Sequence, residues 1–327
     1  MAEKTSGKIE SPRKRKFRKY LKRTALVLGG AVAVSVIATE VVFLVMFGRN
    51  KPVVTDPFPL EDWAKRQGLA WTEVKFSLEG NTLCGYYITG PKPKAMVIIA
   101  HGMYGSSDGF EPVVQYFAER NYSVLIFDGT AVGRSEGSRV VGIQQSSYDV
   151  RAAAEYVKNN ALSRDIPLIL FGHSAGAYAS AVEAERAGAD AVVCVSAFEK
   201  PVDTMRYWAR TYASILGEIE TPFLLAHEYA ALGSEANTSA SDSIIASSVP
   251  ALIAHGANDD AIPLEISLYE KLEDDSASSN AINLYIEENS EHDGHGDILF
   301  TEDGALNTAL MDAVDRFLQP VLSGRLP

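Results

Sequence analysis

The pentapeptide GHSAG, residues 172–176, decides the fold of this chain. It follows a short apolar run, IPLILF (166–171), and precedes a segment with the composition of a helix, residues 177–187. An apolar strand, a G-x-S-x-G turn and a helix, in this order, form the context of a nucleophile elbow. The two glycines are needed because side chains there would collide with the neighbouring strand and helix. The pattern predicts that Ser174 stands exposed at the end of a strand.

Short apolar runs recur on both sides of the pentapeptide, and segments with helical spacing separate them. A β-hairpin is predicted before them, and a last strand and a last helix after them. The runs are residues 95–100, 122–127, 191–197 and 249–255, the hairpin is 71–88, and the last strand and helix are 281–287 and 304–318. Wholly apolar strands are typical of sheets buried on both faces. The alternation predicts an α/β fold with a mostly parallel central sheet and helices on both faces.

Polar residues follow two of these strands in the order that a serine nucleophile requires. Serine needs an adjacent base, which a third group orients. In folds with a nucleophile elbow, the chain order is serine, then an acid, then histidine. Asp259 follows the run 249–255, and His295 follows the run 281–287. Both loops lie at the same sheet edge as Ser174, because sites in such sheets form at the carboxyl ends of the strands.

Five motifs make the chain resemble the α/β hydrolases, close to the monoglyceride-lipase-like and serine-aminopeptidase-like branch. They are HGMYG (101–105), DGTAVGRSEG (128–137), GHSAG (172–176), HGANDDAIP (255–263) and GHGDIL (294–299). The resemblance covers about residues 70 to 320 and implies the α/β-hydrolase fold with a short cap. The second motif departs from the family, because the usual arginine-glycine after its aspartate is missing. That loop is structural in the family, so the departure does not affect the predicted chemistry.

The resemblance implies a role for each residue of the site. Ser174 would be the nucleophile, His295 the base and later the acid, and Asp259 the group that orients it. The backbone N–H groups of Met103 and Ala175 would form the oxyanion hole.

Near neighbours leave alternatives to three of these assignments. Asp260 is the alternative acid, His292 the alternative base and Tyr104 the alternative first donor of the oxyanion hole. The other polar residues in or near these motifs are interpreted as structural or as part of the cap: His101, His173, His227, His255, Asp128 and Asp149.

The N-terminal part of the chain differs in charge from the rest. The whole chain carries a formal net charge of −12. Residues 1–23 hold ten Lys or Arg against two Glu, which leaves about −20 for the remainder by subtraction. A nucleic-acid-binding face needs positive charge, so nucleic acid is excluded as a partner of this acidic part.

Residues 24–47 form an apolar run with one formal charge, Glu40, which is expected near the outer interface. A helix of that length spans roughly 36 Å, enough for a hydrocarbon core of about 30 Å. The basic residues before it predict a cytoplasmic N-terminus and a domain on the outer side of the membrane. A cleaved signal peptide, with the small residues 31–33 as its site, is the alternative.

The sequence therefore divides into four segments and an insertion. They are a basic cytoplasmic tail (1–23), a transmembrane helix (24–47), a linker (48–60) and an α/β-hydrolase domain (61–327) with a cap insertion at about 199–248. The insertion interrupts the strand rhythm and is rich in aromatic residues, which together with the membrane tether favours lipid-like or other apolar acyl esters as substrates.

We expect a membrane-anchored serine hydrolase that cleaves carboxylic esters, without a cofactor or metal. Thioesters, amides and cofactor-free haloperoxidase chemistry are alternatives for the same triad, and a catalytically silent surface-binding module is the alternative from another class. Cys84 and Cys194 are interpreted as buried free thiols, with a disulfide as the alternative. The sequence leaves the oligomeric state open.

Overall fold

The structure is a computed structural model that describes residues 11–49, 60–78, 80–275 and 281–324. Within these ranges, one eight-stranded sheet runs in the order β1-β2-β4-β3-β5-β6-β7-β8. The strands are β1 (Ala70–Leu78), β2 (Asn81–Thr89), β3 (Met96–Ala100), β4 (Ser123–Phe127), β5 (Leu168–His173), β6 (Ala191–Val195), β7 (Ala251–Gly256) and β8 (Ile282–Glu287). Strand β2 runs antiparallel to both of its neighbours, β1 and β4, and every pairing from β4 to β8 is parallel.

Helices cover both faces of this sheet. They are α1 (Pro12–Met46), α2 (Leu60–Arg66), α3 (Glu111–Glu119), α4 (Gln145–Asn159), α5 (Ala175–Ala187), α6 (Pro201–Leu232), α7 (Ala240–Ser247), α8 (Leu268–Asp275) and α9 (Thr308–Leu322). Helices α4, α5, α7 and α8 pack in one hydrophobic cluster, and α2, α3 and α9 pack in the other. Strands β3, β4 and β6 are buried along their whole length, because helices cover both of their faces. The predicted α/β class is confirmed.

The segment between β6 and β7 is helical and consists of α6, a short 3-10 turn and α7. Helix α6 is broken at Ser214, whose φ of 51° and ψ of −128° are not helical. The two halves of α6 pack so closely beside this break that a side chain at Gly217 would overlap the carbonyl oxygen of Ala209. Trp208 fixes the first half to the domain by donating from Nε1 to the Ala261 carbonyl, 2.9 Å away.

Helix α1 is long and apolar enough to cross a membrane, and it begins within the basic segment rather than at residue 24. Its C-terminal half contacts the domain, and Ser35, Thr39 and Phe43, spaced by four residues, are buried on one face. The first residues of the predicted linker are held on the domain as well, since the Arg49 N–H donates to the Ser138 carbonyl, 2.9 Å away. Residues 1–10 of the predicted tail and 50–59 of the predicted linker lie outside the described residues.

Both cysteines are free. Cys84 on β2 and Cys194 on β6 are both buried, with β4, β3 and β5 between their strands, and burial raises the pKa of the Cys84 thiol to about 11. The predicted buried free thiols are confirmed, and the alternative of a disulfide is wrong.

Candidate active site

Ser174 lies on a tight turn between β5 and α5. Its φ of 55° and ψ of −121° lie in a region that non-glycine residues rarely adopt, at a cost of about 1 to 3 kcal/mol. The turn is possible only because the residues two positions before and after Ser174 are glycines. A side chain at Gly172 would overlap the carbonyl of Gly176, and one at Gly176 would overlap the carbonyl of Ala100. The Ser174 N–H donates to the Val195 carbonyl, 2.8 Å away, which fixes the turn to the neighbouring strand.

A chain of hydrogen bonds runs from this serine to a buried carboxylate. The His295 ring lies between them, with Nε2 2.9 Å from the Ser174 Oγ and Nδ1 2.7 Å from the Asp259 Oδ2. The other oxygen of Asp259 accepts from the N–H groups of Ala261 and Ile262, at 3.0 and 2.8 Å. The carboxylate is therefore fixed, and it holds the imidazole with Nε2 directed at the serine.

The protonation of Asp259 follows from these contacts. Burial alone raises the pKa of this carboxyl group, but the hydrogen bond and positive charge of His295 and the N–H of Ile262 lower it. The second set of effects is larger in sum, so the pKa of Asp259 is lower than its usual value. Asp259 therefore stays ionised at neutral pH and can stabilise a protonated His295.

Two further histidines surround this pair. His255 is fully buried, lies 3.6 Å from Asp259 and bonds through Nε2 to the Ile262 carbonyl at 2.9 Å. His173, the second residue of the pentapeptide, bonds through Nε2 to the main-chain carbonyl of His295 at 2.8 Å. Burial and the nearby His295 lower the pKa of His173 to about 4, so this ring is neutral and donates the bond.

The alternative residues from the sequence lie elsewhere. The side chain of Asp260 is exposed, and its carbonyl accepts from the Tyr207 hydroxyl at 3.3 Å. His292 lies in the turn after β8, where its N–H donates to the Asn289 carbonyl at 2.7 Å, and its Nδ1 has no partner among the described residues. The structure thus brings Asp259 and His295, rather than their neighbours, to Ser174.

Met103 and Ala175 both border a cleft beside the serine. Ala175 is the first residue of α5, so its N–H has no acceptor within the helix. Gly102, which precedes Met103, approaches Ser174 so closely that an added Cβ would lie 2.9 Å from the Cβ of the serine. Tyr104 borders the same cleft, with a φ of 64°.

Comparisons with known proteins identify relatives of this chain. A family model described as serine aminopeptidase, S33, matches residues 91–242. The uncharacterized protein YfhR of Escherichia coli O157:H7 is 31% identical over 236 residues, which are 67% of this chain and 74% of that protein. The chain belongs to the α/β hydrolases, in the same family as YfhR.

Two more relatives of this α/β hydrolase are informative. Human monoglyceride lipase is 30% identical over 109 residues, which are 32% of this chain and 35% of that protein. The solved structure of the Pyrococcus furiosus esterase Pf2001 is 19% identical, covers 83% of this chain and 97% of its own, and superposes with a TM-score of 0.62. At that identity the second likeness concerns the fold, and it confirms the predicted α/β-hydrolase fold.

The cleft of this hydrolase has a mostly apolar wall. The end of α1, the loop after β3, the loop after β4 and the start of α4 and α5 surround it. Its residues include Met46, Phe47, Met103, Val132, Val140, Ile143 and Ala175. The aromatic residues of α6 that the sequence predicts as a lining do not contribute to this cleft. Trp208 and Tyr212 instead border a second cavity, between α1 and α6.

The loop after β4 contains the motif that departs from the family pattern. The guanidinium of Arg49, three residues after the end of α1, binds to this loop. Its Nη1 donates to the carbonyls of Ser135 and Gly137 at 2.9 and 3.0 Å, and its Nη2 donates to that of Gly133 at 2.6 Å. These hydrogen bonds connect the loop that borders the cleft to the residues that directly follow α1.

Two aspartates accept hydrogen bonds from the same loop, in agreement with the structural role that the sequence predicts for them. Asp128 accepts from the N–H groups of Ser107 and Arg134, at 2.9 and 3.0 Å. Asp149 accepts from the N–H and hydroxyl of Thr130, both at 2.7 Å. Burial raises the pKa of Asp149 despite these bonds.

His101 is structural too. Its Nε2 accepts from the Gly129 N–H at 3.0 Å, and its Nδ1 donates to the Gly102 carbonyl at 2.8 Å. Among the residues that the structure describes, no group of three His, Cys, Asp or Glu is arranged to hold a metal ion.

One buried carboxyl group beside the cleft has no signal in the sequence. Glu228, in the second half of α6, is fully buried, and its Oε1 accepts from the Ile143 N–H at 2.9 Å. Its Oε2 has no partner within the described part of the chain. Burial raises the pKa of Glu228 to about 7, against the opposing effect of the Ile143 N–H. Its helix carries no motif, so the position could not be found from sequence.

Proposed function

We propose that this hydrolase cleaves carboxylic esters through an acyl-enzyme formed on Ser174. The chain of hydrogen bonds from Ser174 through His295 to Asp259 carries the proposal. As the Ser174 Oγ attacks the ester carbonyl carbon, its proton passes to the His295 Nε2. His295 then returns the proton to the alcohol oxygen that leaves, and a water molecule activated by the same ring hydrolyses the acyl-enzyme.

The negative charge on the carbonyl oxygen requires hydrogen-bond donors in the transition state. The N–H groups of Met103 and Ala175 supply them in this proposal, each contributing about 3 kcal/mol of transition-state stabilisation. Ala175 offers the free N–H of a helix N-terminus, where the helix dipole adds to the effect.

The names of two similar proteins support an ester as the substrate. The human relative is named a monoglyceride lipase, and the fold neighbour from Pyrococcus furiosus is named an esterase. The apolar wall of the cleft fits the acyl part of such a substrate. We further propose that α1 anchors the enzyme, that the α/β domain lies on the outer side of the membrane, and that the segment 199–248 is its cap.

Turnover of short p-nitrophenyl esters by the purified full-length protein tests the hydrolase activity. Ser174→Ala should abolish turnover and labelling by a fluorophosphonate probe. Ser163→Ala is the matched control, because that serine lies in the turn that precedes β5, and it should keep both. Turnover by the Ser174→Ala variant would refute the nucleophile, and folded protein that the probe does not label would indicate a silent binding module.

The membrane topology has a separate test. Protease added to intact cells should digest the α/β domain, whereas disrupted cells expose both sides and serve as the control. Protection in intact cells would place the domain on the inner side.

A further inference from the structure

The outer half of α1 is fixed rigidly to α6. The Ser35 hydroxyl donates to the Glu220 Oε1 at 2.9 Å, and the Phe43 ring stacks on the His227 ring with centroids 3.9 Å apart. The Glu40 Oε1 is hydrogen-bonded to the His227 Nδ1 at 2.9 Å. The position of α1 in a bilayer therefore determines the position of α6.

The length of α1 sets a depth for these contacts. The last basic residue before the apolar run is Arg23, which belongs at the inner interface. A hydrocarbon core of about 30 Å takes about 20 helical residues, so the core ends near residue 43 or slightly beyond it in a tilted helix. Ser35 and Phe43, which contact α6, are separated by eight residues, or about 12 Å along the helix. The contact thus lies at the depth of the acyl chains of one leaflet, and α6 is immersed with it.

The surface of α6 fits this immersion. We call residues 212–219, which surround the break at Ser214, the α6 tip. Four large apolar side chains of the tip are exposed: Tyr212 by 77%, Ile215 by 74%, Leu216 by 65% and Ile219 by 56%. A group of large exposed apolar side chains on a folded domain is typical of a surface that contacts a membrane or a partner. Here the fixed helix α1 brings the patch to the bilayer.

A cavity lies between α1 and the α6 tip. Its wall is almost wholly apolar and is formed by Ala38, Val42, Phe43, Trp208, Ala213, Leu216 and Leu224, among others. Two buried polar atoms on this wall, the Thr39 Oγ1 and the Glu220 Oε2, have no partner among the described residues. Tyr212 and Leu216 belong both to this wall and to the exposed patch, so the cavity lies next to the surface that faces lipid.

The same cavity adjoins the cleft beside Ser174. Met46 and Phe47, at the end of α1, border both spaces. The cleft continues from these side chains to Met103 and Ala175, the proposed donors of the oxyanion hole. A long hydrocarbon chain can therefore extend from the leaflet, between α1 and α6, towards the serine.

We propose that the α1–α6 cavity binds the hydrocarbon chain of a membrane lipid ester, which enters sideways from the leaflet on the domain's side. The proposal rests on the proposed hydrolase activity and adds the substrate class and its route. The anchoring helix is then one wall of the substrate site in addition to a tether.

Cavity-filling variants of the full-length protein in nanodiscs test the site. Ala38→Trp fills it from α1 and Ala213→Trp fills it from α6, so the two variants test both walls independently. Ala33→Trp, on an exposed part of α1, is the matched control. Each variant is assayed with p-nitrophenyl palmitate in the bilayer and with water-soluble p-nitrophenyl acetate.

We expect both filling variants to lower the palmitate-to-acetate ratio of kcat/KM at least tenfold, whereas Ala33→Trp leaves the ratio unchanged. Equal ratios in all variants would overturn the proposed cavity while leaving the hydrolase intact. A parent protein that hydrolyses neither ester would instead refute the proposed function.

A binding measurement that needs no turnover completes the test. The Ser174→Ala protein in nanodiscs is exposed to a palmitoyl ester that carries a photoactivatable diazirine on its chain. Cross-links should fall on residues of α1 and α6 that border the cavity. Cross-links elsewhere only, or none, would contradict the proposal.

Immersion of the α6 tip is tested with a fluorophore that is sensitive to polarity. Because both native cysteines are buried, a label on Ile215→Cys reports on the tip. Lys158→Cys, on the exposed end of α4, is the control. Emission at 215 should shift to the blue in nanodiscs and emission at 158 should not. Water-like emission at both positions would overturn the immersion.

Discussion

The His173 ring donates a hydrogen bond to the main-chain carbonyl of His295 at 2.8 Å. His173, at the first variable position of the G-x-S-x-G turn, therefore holds the loop after β8 that carries the proposed base. His173→Phe keeps an aromatic ring and removes the donor. We expect kcat to fall roughly ten- to a hundredfold with little change in KM, because small displacements of a catalytic group cost rate rather than binding.

His173→Gln separates positioning from simple structural support. The amide nitrogen of glutamine can replace the Nε2 donor, so this variant should recover most of the kcat and the fluorophosphonate labelling rate that His173→Phe loses. If both variants had the same kcat, the hydrogen bond would not position His295.

Asp259 and Asp260 are adjacent in sequence, but only Asp259 contacts His295. Asp259→Asn should lower kcat by about four orders of magnitude, because the amide no longer fixes the required tautomer of the imidazole. Asp260→Asn should stay within about twofold of the parent enzyme, since its exposed side chain is remote from the ring. A larger loss in the second variant than in the first would reverse the assignment. Circular dichroism checks that both variants are folded.

The glycine before the elbow is required by its neighbours. A side chain at Gly172 would overlap the carbonyl of Gly176, whereas one at Gly109 would meet no atom within 4 Å. Gly172→Ala should lower the free energy of unfolding by about 3 kcal/mol, a typical upper cost of overpacking, and Gly109→Ala by less than about 0.5 kcal/mol. Thermal unfolding of the two variants in the same detergent gives the comparison. Equal Tm values would mean that the turn relaxes without cost.

The sequence predicts the parts of this molecule that depend on local pattern and on chain order. The elbow, the alternating strands and the loops that carry Asp259 and His295 all follow from apolar runs and the residues directly after them. These features could be predicted because each is encoded within about ten consecutive residues.

Contacts between distant segments could not be predicted in the same way. The apolar run of α1 is hydrophobic on every face, so nothing in it indicates that Ser35, Thr39 and Phe43 face a protein surface. Arg49 lies where composition indicates a linker, yet it binds a loop more than 80 residues later in the chain. Both features depend on tertiary packing and leave no local signal.

Glu228 gives a prediction on pH and stability. Its pKa is raised to about 7 in the folded protein, from 4.5 for the unperturbed group. The folded state therefore carries no penalty below pH 4.5, acquires one between pH 4.5 and 7, and bears all of it above pH 7. The full penalty is up to about 3 kcal/mol, since one pKa unit corresponds to about 1.4 kcal/mol.

Glu228→Gln removes this titration and keeps an oxygen that can accept from the Ile143 N–H. The Tm of the variant minus that of the parent should thus be near zero or negative at pH 4.5, rise through pH 7 and be positive at pH 8. Glu155→Gln, on the exposed side of α4, is the matched control, and its difference should be small at every pH. Differential scanning calorimetry of the full-length protein in one detergent measures all three. A difference for Glu228→Gln that does not change with pH would show that this carboxyl group is not forced to ionise in the folded state.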